Sequence, residues 1–435
     1  MKTILFLVSL ALLSAVQWPV STNSGNEGQL SDARFTGSTP RFCTDRLGNP
    51  MVSWTERESE KVASFYFAFS TDDAGQGSQF GPKIKVRVPP ALATHAEGMP
   101  KLAQKADGTV LALFELPRPV PESRFAGDLL YVTSEDNGQT WSDPRPVHRN
   151  TRPGTSHSFA DLTRLPNGEI GIVWLDEKRP GQAGRPVVFV QTKAGGGFTD
   201  EVVVDENACQ CCRTNIVVDA QHRIHLTYRD MLPAKAGEIG ARDISHVVST
   251  DAGRTFSAPA VLLADNWRVN ACPHAGPSVA VLGKELFATW FSGKEDAVGL
   301  RLAKIGAGEP VALIRSNRAR HPQLTTVNGQ LIWVWDEAIR NPNQPADEPM
   351  PTYTQRIALR TAPESPTVFV SPDTVSAAYP VVLPTKKGLL LAYEATSGKG
   401  ANPVIRYQLV QVPTSGAAGR WRDEKEHKPK NSTGR

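Results

Sequence analysis

Ser134-Glu135-Asp136-Asn137-Gly138-Gln139-Thr140-Trp141 and Ser249-Thr250-Asp251-Ala252-Gly253-Arg254-Thr255-Phe256 follow one pattern, S-x-D-x-G-x-T-aromatic. In such an octapeptide the Ser and Asp side chains close a tight turn onto the backbone. The Gly supplies a left-handed residue, and the aromatic pins the turn to the sheet it leaves. Each octapeptide follows a short β run, at 129–133 and 246–248. A degraded copy with an insertion stands at 70–80, and a weaker one at 193–198.

Outward from these turns lies a longer repeat. A Pro or polar residue opens a short β run, a Gly or Asn turn follows, and an apolar strand then ends in an aromatic and an acid. The instances are residues 40–56, 100–115, 157–176, 212–230, 273–290, 321–337 and 379–394. Their anchoring aromatics are Trp54, Phe114, Trp174, Tyr228, Trp290, Trp335 and Tyr393, separated by 45 to 62 residues. A two-strand hairpin recurring at such a period predicts a β-propeller. The 35 Gly and 34 Pro agree with a turn-rich, all-β chain, and 435 residues need no disulfide staple to bury a core.

The octapeptides are similar to the Asp boxes of the sialidase (neuraminidase) superfamily, and the resemblance covers residues 39–412. It implies an all-β, sialidase-like β-propeller of four-stranded blades around a central axis. Sialidases have six blades; the seven inner hairpins here predict seven, with six the outcome if one hairpin is a decoration. The segment 18–38 is the candidate for an outer strand that closes the ring, and the propeller itself is expected over 39–413.

In a propeller the start of each innermost strand and the end of the second strand ring one mouth, which places the Asp boxes on the opposite face. The expected starts carry Arg41 and Cys43, His95, His157, Cys209, Cys211, Cys212 and Arg213, Cys272 and His274, Arg320 and His321, and Tyr379. The ends carry Glu56, Glu115, Asp176, Glu177, Asp230, Asp336, Glu337 and Glu394. The sialidase resemblance implies an arginine triad for an anionic sugar, for which Arg41, Arg213 and Arg320 are the candidates. It implies a tyrosine nucleophile beside an acid, for which Tyr379 with Glu394 or Glu177 are the candidates. Arg41 is followed by Phe42 and not by the Ile-Pro of the family's motif.

The string Cys209-Gln210-Cys211-Cys212 is not called for by that family pattern. Thiolate and imidazole together suit zinc or copper, and the candidate ligands are Cys209, Cys211, Cys212, Cys272, His274, His321 and His157. Disulfides are the competing expectation for an exported chain, although five cysteines leave one over. A third possibility is a propeller that binds a glycan or protein without catalysis. The polar insertions 117–128, 179–186, 231–243 and 340–353 would present such a partner, with Trp267 a candidate sugar platform.

The ends of the chain bear on location. Lys2 precedes an apolar run, Ile4 to Val16, too short to span a bilayer comfortably, so residues 1–17 are expected to be a signal peptide and the mature chain periplasmic or secreted. The segment 414–435 is charged and expected to be disordered. The formal net charge of +4 comes from these ends, +1 before Glu27 and +3 from Arg420 onward. A neutral body has no footprint for nucleic acid. A glycan or small-molecule ligand at the mouth is the expected partner.

Overall fold

The computed structural model describes residues 22–71, 79–235, 237–341, 344, 349–398 and 400–412, with the backbone alone for 22–26. The expected signal peptide and charged tail, and most of the insertions at 72–78 and 342–348, lie outside the described residues. No helix among the described residues is long and apolar enough to cross a membrane.

Short, largely apolar strands are punctuated by Gly and Asn turns, so the chain forms antiparallel hairpins throughout. They assemble into seven four-stranded sheets. Blades 1 to 3 run from Thr36–Thr44 to Ile84–Val86, Lys101–Gln104 to Arg145–Pro146, and Ser158–Arg164 to Val202–Ala208. Blades 4 to 6 run from Asn215–Val218 to Ala260–Val261, Ser278–Leu282 to Pro310–Arg315, and Ala319–Val327 to Val368–Phe369. Blade 7 contains Ser376–Thr385, Gly388–Thr396 and Val404–Val410, and Thr22–Gln29 pairs antiparallel along its outer edge. Each innermost strand packs against the next, and that of blade 7 against that of blade 1. The ring is therefore closed with seven blades.

The core is divided among the blade interfaces. Seven apolar clusters of buried residues each join two neighbouring blades, all the way round the ring. The seven anchoring aromatics lie on the second strands and are at most 2% exposed. Burying such side chains is worth about 1.5–3 kcal/mol each before entropy is counted.

The Asp boxes add a polar clasp. Asp136 accepts from the Thr140 N–H at 2.9 Å and the Thr140 hydroxyl at 2.6 Å, while the Ser134 hydroxyl accepts from the Gly138 N–H at 2.8 Å. Asp251, Thr255, Ser249 and Gly253 repeat the pattern. Two residues, not one, are left-handed in each turn: Asn137 and Gly138, Ala252 and Gly253. The turns dock on the preceding blade. Trp141 meets Phe67 of blade 1 edge-on, and Phe256 meets Phe189 of blade 3 in the same way. A Cβ on Gly253 would stand 2.5 Å from the Phe189 ring. Gly253→Ala is therefore expected to destabilise the fold by about 1–3 kcal/mol through overpacking. Gly195→Ala, in open space, serves as the neutral control. Urea midpoints check this; equal midpoints for the two variants would contradict the clasp.

Candidate functional site

The innermost strands bulge where they reach the mouth. Pairing slips between Ser38 and Arg41, Ser158 and Asp161, Arg320 and Gln323, and Ala378 and Val381. At each slip a non-glycine residue is left-handed: Thr39, Phe159, His321 and Tyr379, with φ of 56°, 59°, 47° and 53°. An L-residue holds that conformation only when its surroundings impose it. For Thr39, Phe159 and Tyr379, acids of the preceding blade do so. Glu394 accepts the Thr39 N–H at 2.9 Å, Glu115 the Phe159 N–H at 2.5 Å, and Asp336 the Tyr379 N–H at 2.8 Å. Three acids near the ends of repeats are thus brackets for the next blade, and Glu394 is one of them.

On the axis, a cleft of about 20 Å³ is lined by Arg41, Arg213, His321, Tyr379 and the loop residues Ala96 and Met99. That volume is little more than a water molecule occupies. Arg41 is paired with Asp161 at 2.9 Å, and Arg213 with the buried Glu97 at 3.0 Å. His321 Nδ1 lies 2.7 Å from Asp336, its ring against Tyr379. Arg320 does not line the cleft; its guanidinium sits over Phe291 and donates to its neighbour's carbonyl. Glu177 lies in a different pocket, accepting the Ser156 N–H at 2.6 Å. Of the three candidate arginines, Arg41 and Arg213 share the cleft, each with a carboxylate partner, and Arg320 does not line it.

The larger pocket at the mouth lies off the axis, with a volume of about 570 Å³. It spans the crossings into blades 2 to 5, and its lining includes His95, Glu115, Phe159, Cys211, Cys272 and His274. Phe125 stands at its rim, 90% exposed. Burial pushes the Glu115 carboxyl up to about 7 against the opposing Phe159 N–H and Lys101. Arg185 fixes the floor by donating to the carbonyls of Asp176, Ser156 and Leu175 and to the Ser158 hydroxyl. His157 belongs to this floor. Its Nδ1 meets Asp176 at 2.5 Å, its Nε2 meets Thr155, and its ring stacks on His148. Neither His157 nor His321 joins the cysteines. Trp267 is packed edge-on to Phe291 and over Arg229, so it is not a free platform.

The cysteines do converge. The crossing from blade 3 to blade 4 carries Cys209, Cys211 and Cys212, all buried. Cys209 Sγ lies 3.9 Å from Cys211 Sγ and 3.6 Å from Cys212 Sγ. The crossing from blade 4 to blade 5 brings Cys272 and His274 to Cys211, with ligand atoms all within 4.8 Å of one another. No disulfide forms, and Cys43 is apart, packed with the blade 1–blade 2 cluster and pushed up to about 12 by burial. Two sulfurs bound to one metal ion, each at about 2.3 Å, stand about 3.8 Å apart, between the two separations found here. Hydrogen bonds from Cys211 and Cys212, with the Arg242 guanidinium 2.9 Å away, hold the Cys209 thiol far below its ordinary value.

One residue positions both crossings. Glu97 Oε2 accepts the Arg213 N–H at 3.0 Å, next to Cys212, and the Gly276 N–H at 2.9 Å, two residues beyond His274. Burial alone would raise its pKa; Arg213 and the two N–H donors outweigh that and hold it below the usual range. Glu97 and Arg242 escaped the sequence reading. Their only signals were the neighbouring His95 and a place in the insertion 231–243.

A seven-bladed β-propeller with Asp-box turns defines a sialidase-like propeller. The chain belongs to the BNR repeat-like domain family, which it matches over residues 51–280. Among solved structures it is similar to the polysaccharide lyase Uly1, with 11% identity, 91% of this chain and 94% of that one covered, and a TM-score of 0.51. It is also similar to the intramolecular trans-sialidase from Ruminococcus gnavus, with 11% identity, 90% and 97% covered, and a TM-score of 0.49. A protein of unknown function from Dyadobacter fermentans DSM 18053 shares 14% identity over 91% and 99%, with a TM-score of 0.47. No curated protein matches the chain.

Two expectations test the brackets. Glu97→Ala strands a buried guanidinium and is expected to lower stability by about 3–5 kcal/mol, with Glu97→Gln milder; denaturant unfolding checks this, and equal losses would contradict it. Glu394 is pushed from an ordinary 4.5 up to about 7, chiefly by burial. A carboxyl raised in the folded state binds more protons there, so its contribution to stability falls as pH climbs from 4.5 to 7. Glu394→Gln removes that fall, so its urea midpoint relative to wild type should rise between pH 5 and pH 7.5; a pH-independent difference would contradict the burial-raised carboxyl.

Proposed function

We propose that this chain is an exported sialidase-like propeller whose working site is the off-axis mouth pocket. There Cys211, Cys272 and His274 hold a soft metal ion, copper or zinc, beside a saccharide-sized ligand. The observation that carries the reading is the convergence of these ligand atoms, from two different crossings, on the wall of a 570 Å³ pocket. Export is supported by the apolar run behind Lys2. A saccharide is supported by the exposed ring of Phe125 at the rim and the polar groups of Glu115, Glu177, Arg124 and Lys178 around it.

Three protein ligands leave a coordination position open, and a metal ion there supplies Lewis acidity toward an oxygen of the ligand. The chain's own groups do the rest. Glu115 holds or releases a proton near neutral pH. Phe159 and Phe125 offer apolar faces to a sugar ring. Arg185 keeps the floor rigid through its fan of carbonyl contacts. The axial cleft, at about 20 Å³, has no comparable room for a sugar.

Elemental analysis of protein purified from the exported compartment, with a free-thiol count, tests this. At least one equivalent of copper or zinc is expected. The pocket-facing equivalent should be lost in Cys272→Ser/His274→Ala and kept in Arg320→Ala. Metal-free protein with its thiols paired would overturn the reading.

A further inference from the structure

The two ligand groups share one atom. Cys211 Sγ belongs to the buried triangle with Cys209 and Cys212 and also to the pocket-facing group with Cys272 and His274. A thiolate has lone pairs enough to bind two soft ions, and here it stands between two donor sets of three residues each. We propose that Cys211 bridges a pair of Cu(I) ions, an inner ion on Cys209, Cys211 and Cys212 and an outer ion on Cys211, Cys272 and His274. This rests on the metal reading of the pocket.

The donor count selects the ion. The inner nest offers three sulfurs and, among the described residues, no fourth ligand. Cys209 and Cys212 are at most 1% exposed and Cys211 5%, so water does not complete the set. Structural zinc is almost always four-coordinate, whereas thiolates select Cu(I). Charge agrees. Four thiolates are matched by two monovalent ions together with the guanidinium groups of Arg242, 2.9 Å from Cys209, and Arg229, whose charge acts on Cys212. Arg229 donates to the Ala275 carbonyl at 2.9 Å, and the Ala275 N–H points at Cys212 Sγ at 3.5 Å. Contacts of this kind around the ligands orient metal sites. The four thiols release four protons to solvent as the five copper–sulfur bonds form, the bridging Cys211 giving one proton for its two bonds, and no electron changes hands.

Anaerobic titration of the reduced full chain with Cu(I), against a competing chromophoric chelator, reads the stoichiometry. Wild type and Cys43→Ser should hold two tight equivalents. Cys272→Ser/His274→Ala and Cys209→Ser/Cys212→Ser should each hold one. X-ray absorption should show a copper–copper vector in the two-equivalent sample and none in either variant. Circular dichroism identifies variants that fail to fold; the exposed Cys272 keeps the test open if the buried ones do. One equivalent in wild type, lost with Cys272 and His274, overturns the bridged pair and leaves the pocket reading standing. Two equivalents without a copper–copper vector overturn the bridge. Displacement of both ions by equimolar Zn²⁺ overturns the Cu(I) assignment. No tight equivalent overturns the pair and the pocket reading together.

Discussion

The Glu97 carboxylate, buried beside the propeller axis, is the point on which the mouth depends. It takes an N–H from the crossing into blade 4, an N–H from the crossing into blade 5, and the Arg213 guanidinium. Those two crossings carry Cys209–Cys212 and Cys272–His274. Neither crossing is part of a sheet, so no ladder fixes one against the other; the carboxylate does. Gly276 fits this arrangement because a Cβ there would collide with Arg213. A buried carboxylate is unfavourable unless it is paired and hydrogen-bonded, and Glu97 has both kinds of partner.

The same device recurs in weaker form around the ring. Apolar clusters hold the blades face to face, but burial is non-directional and does not set where a strand bulges. Three of the four mouth bulges are held by acids on neighbouring blades that accept the N–H of a left-handed residue. On the far face the Asp boxes play the complementary part, pressing a glycine and an aromatic against a phenylalanine of the blade before. The ring is thus fastened at both rims, and the mouth is left with crossings free to carry chemistry.

Much of the fold was legible in the sequence because it rests on local, repeated chemistry. The S-x-D-x-G-x-T-aromatic turns close on their own side chains, and the seven aromatics mark strands that fill every interface. The concentration of cysteines at the mouth was legible for the same reason. Partnerships across blades were not. Arg41 finds Asp161 and Arg213 finds Glu97 more than a hundred residues away, so arginines that suggested a triad turn out to be neutralised. His157 and His321 look alike in sequence to His274, yet each is held by an aspartate on the return strand of its own blade. The left-handed residues at the bulges include His321 and Tyr379, side chains whose identity gives no sign of that conformation.

Anomalous diffraction from crystals of the protein, recorded at the copper and zinc edges, tests the central claim most directly. The expected result is a metal peak bonded to Cys211 Sγ and flanked by Cys272 and His274, with Glu97 still bridging the two crossings. Continuous density between two cysteine sulfurs, with no anomalous peak at either edge, would contradict it.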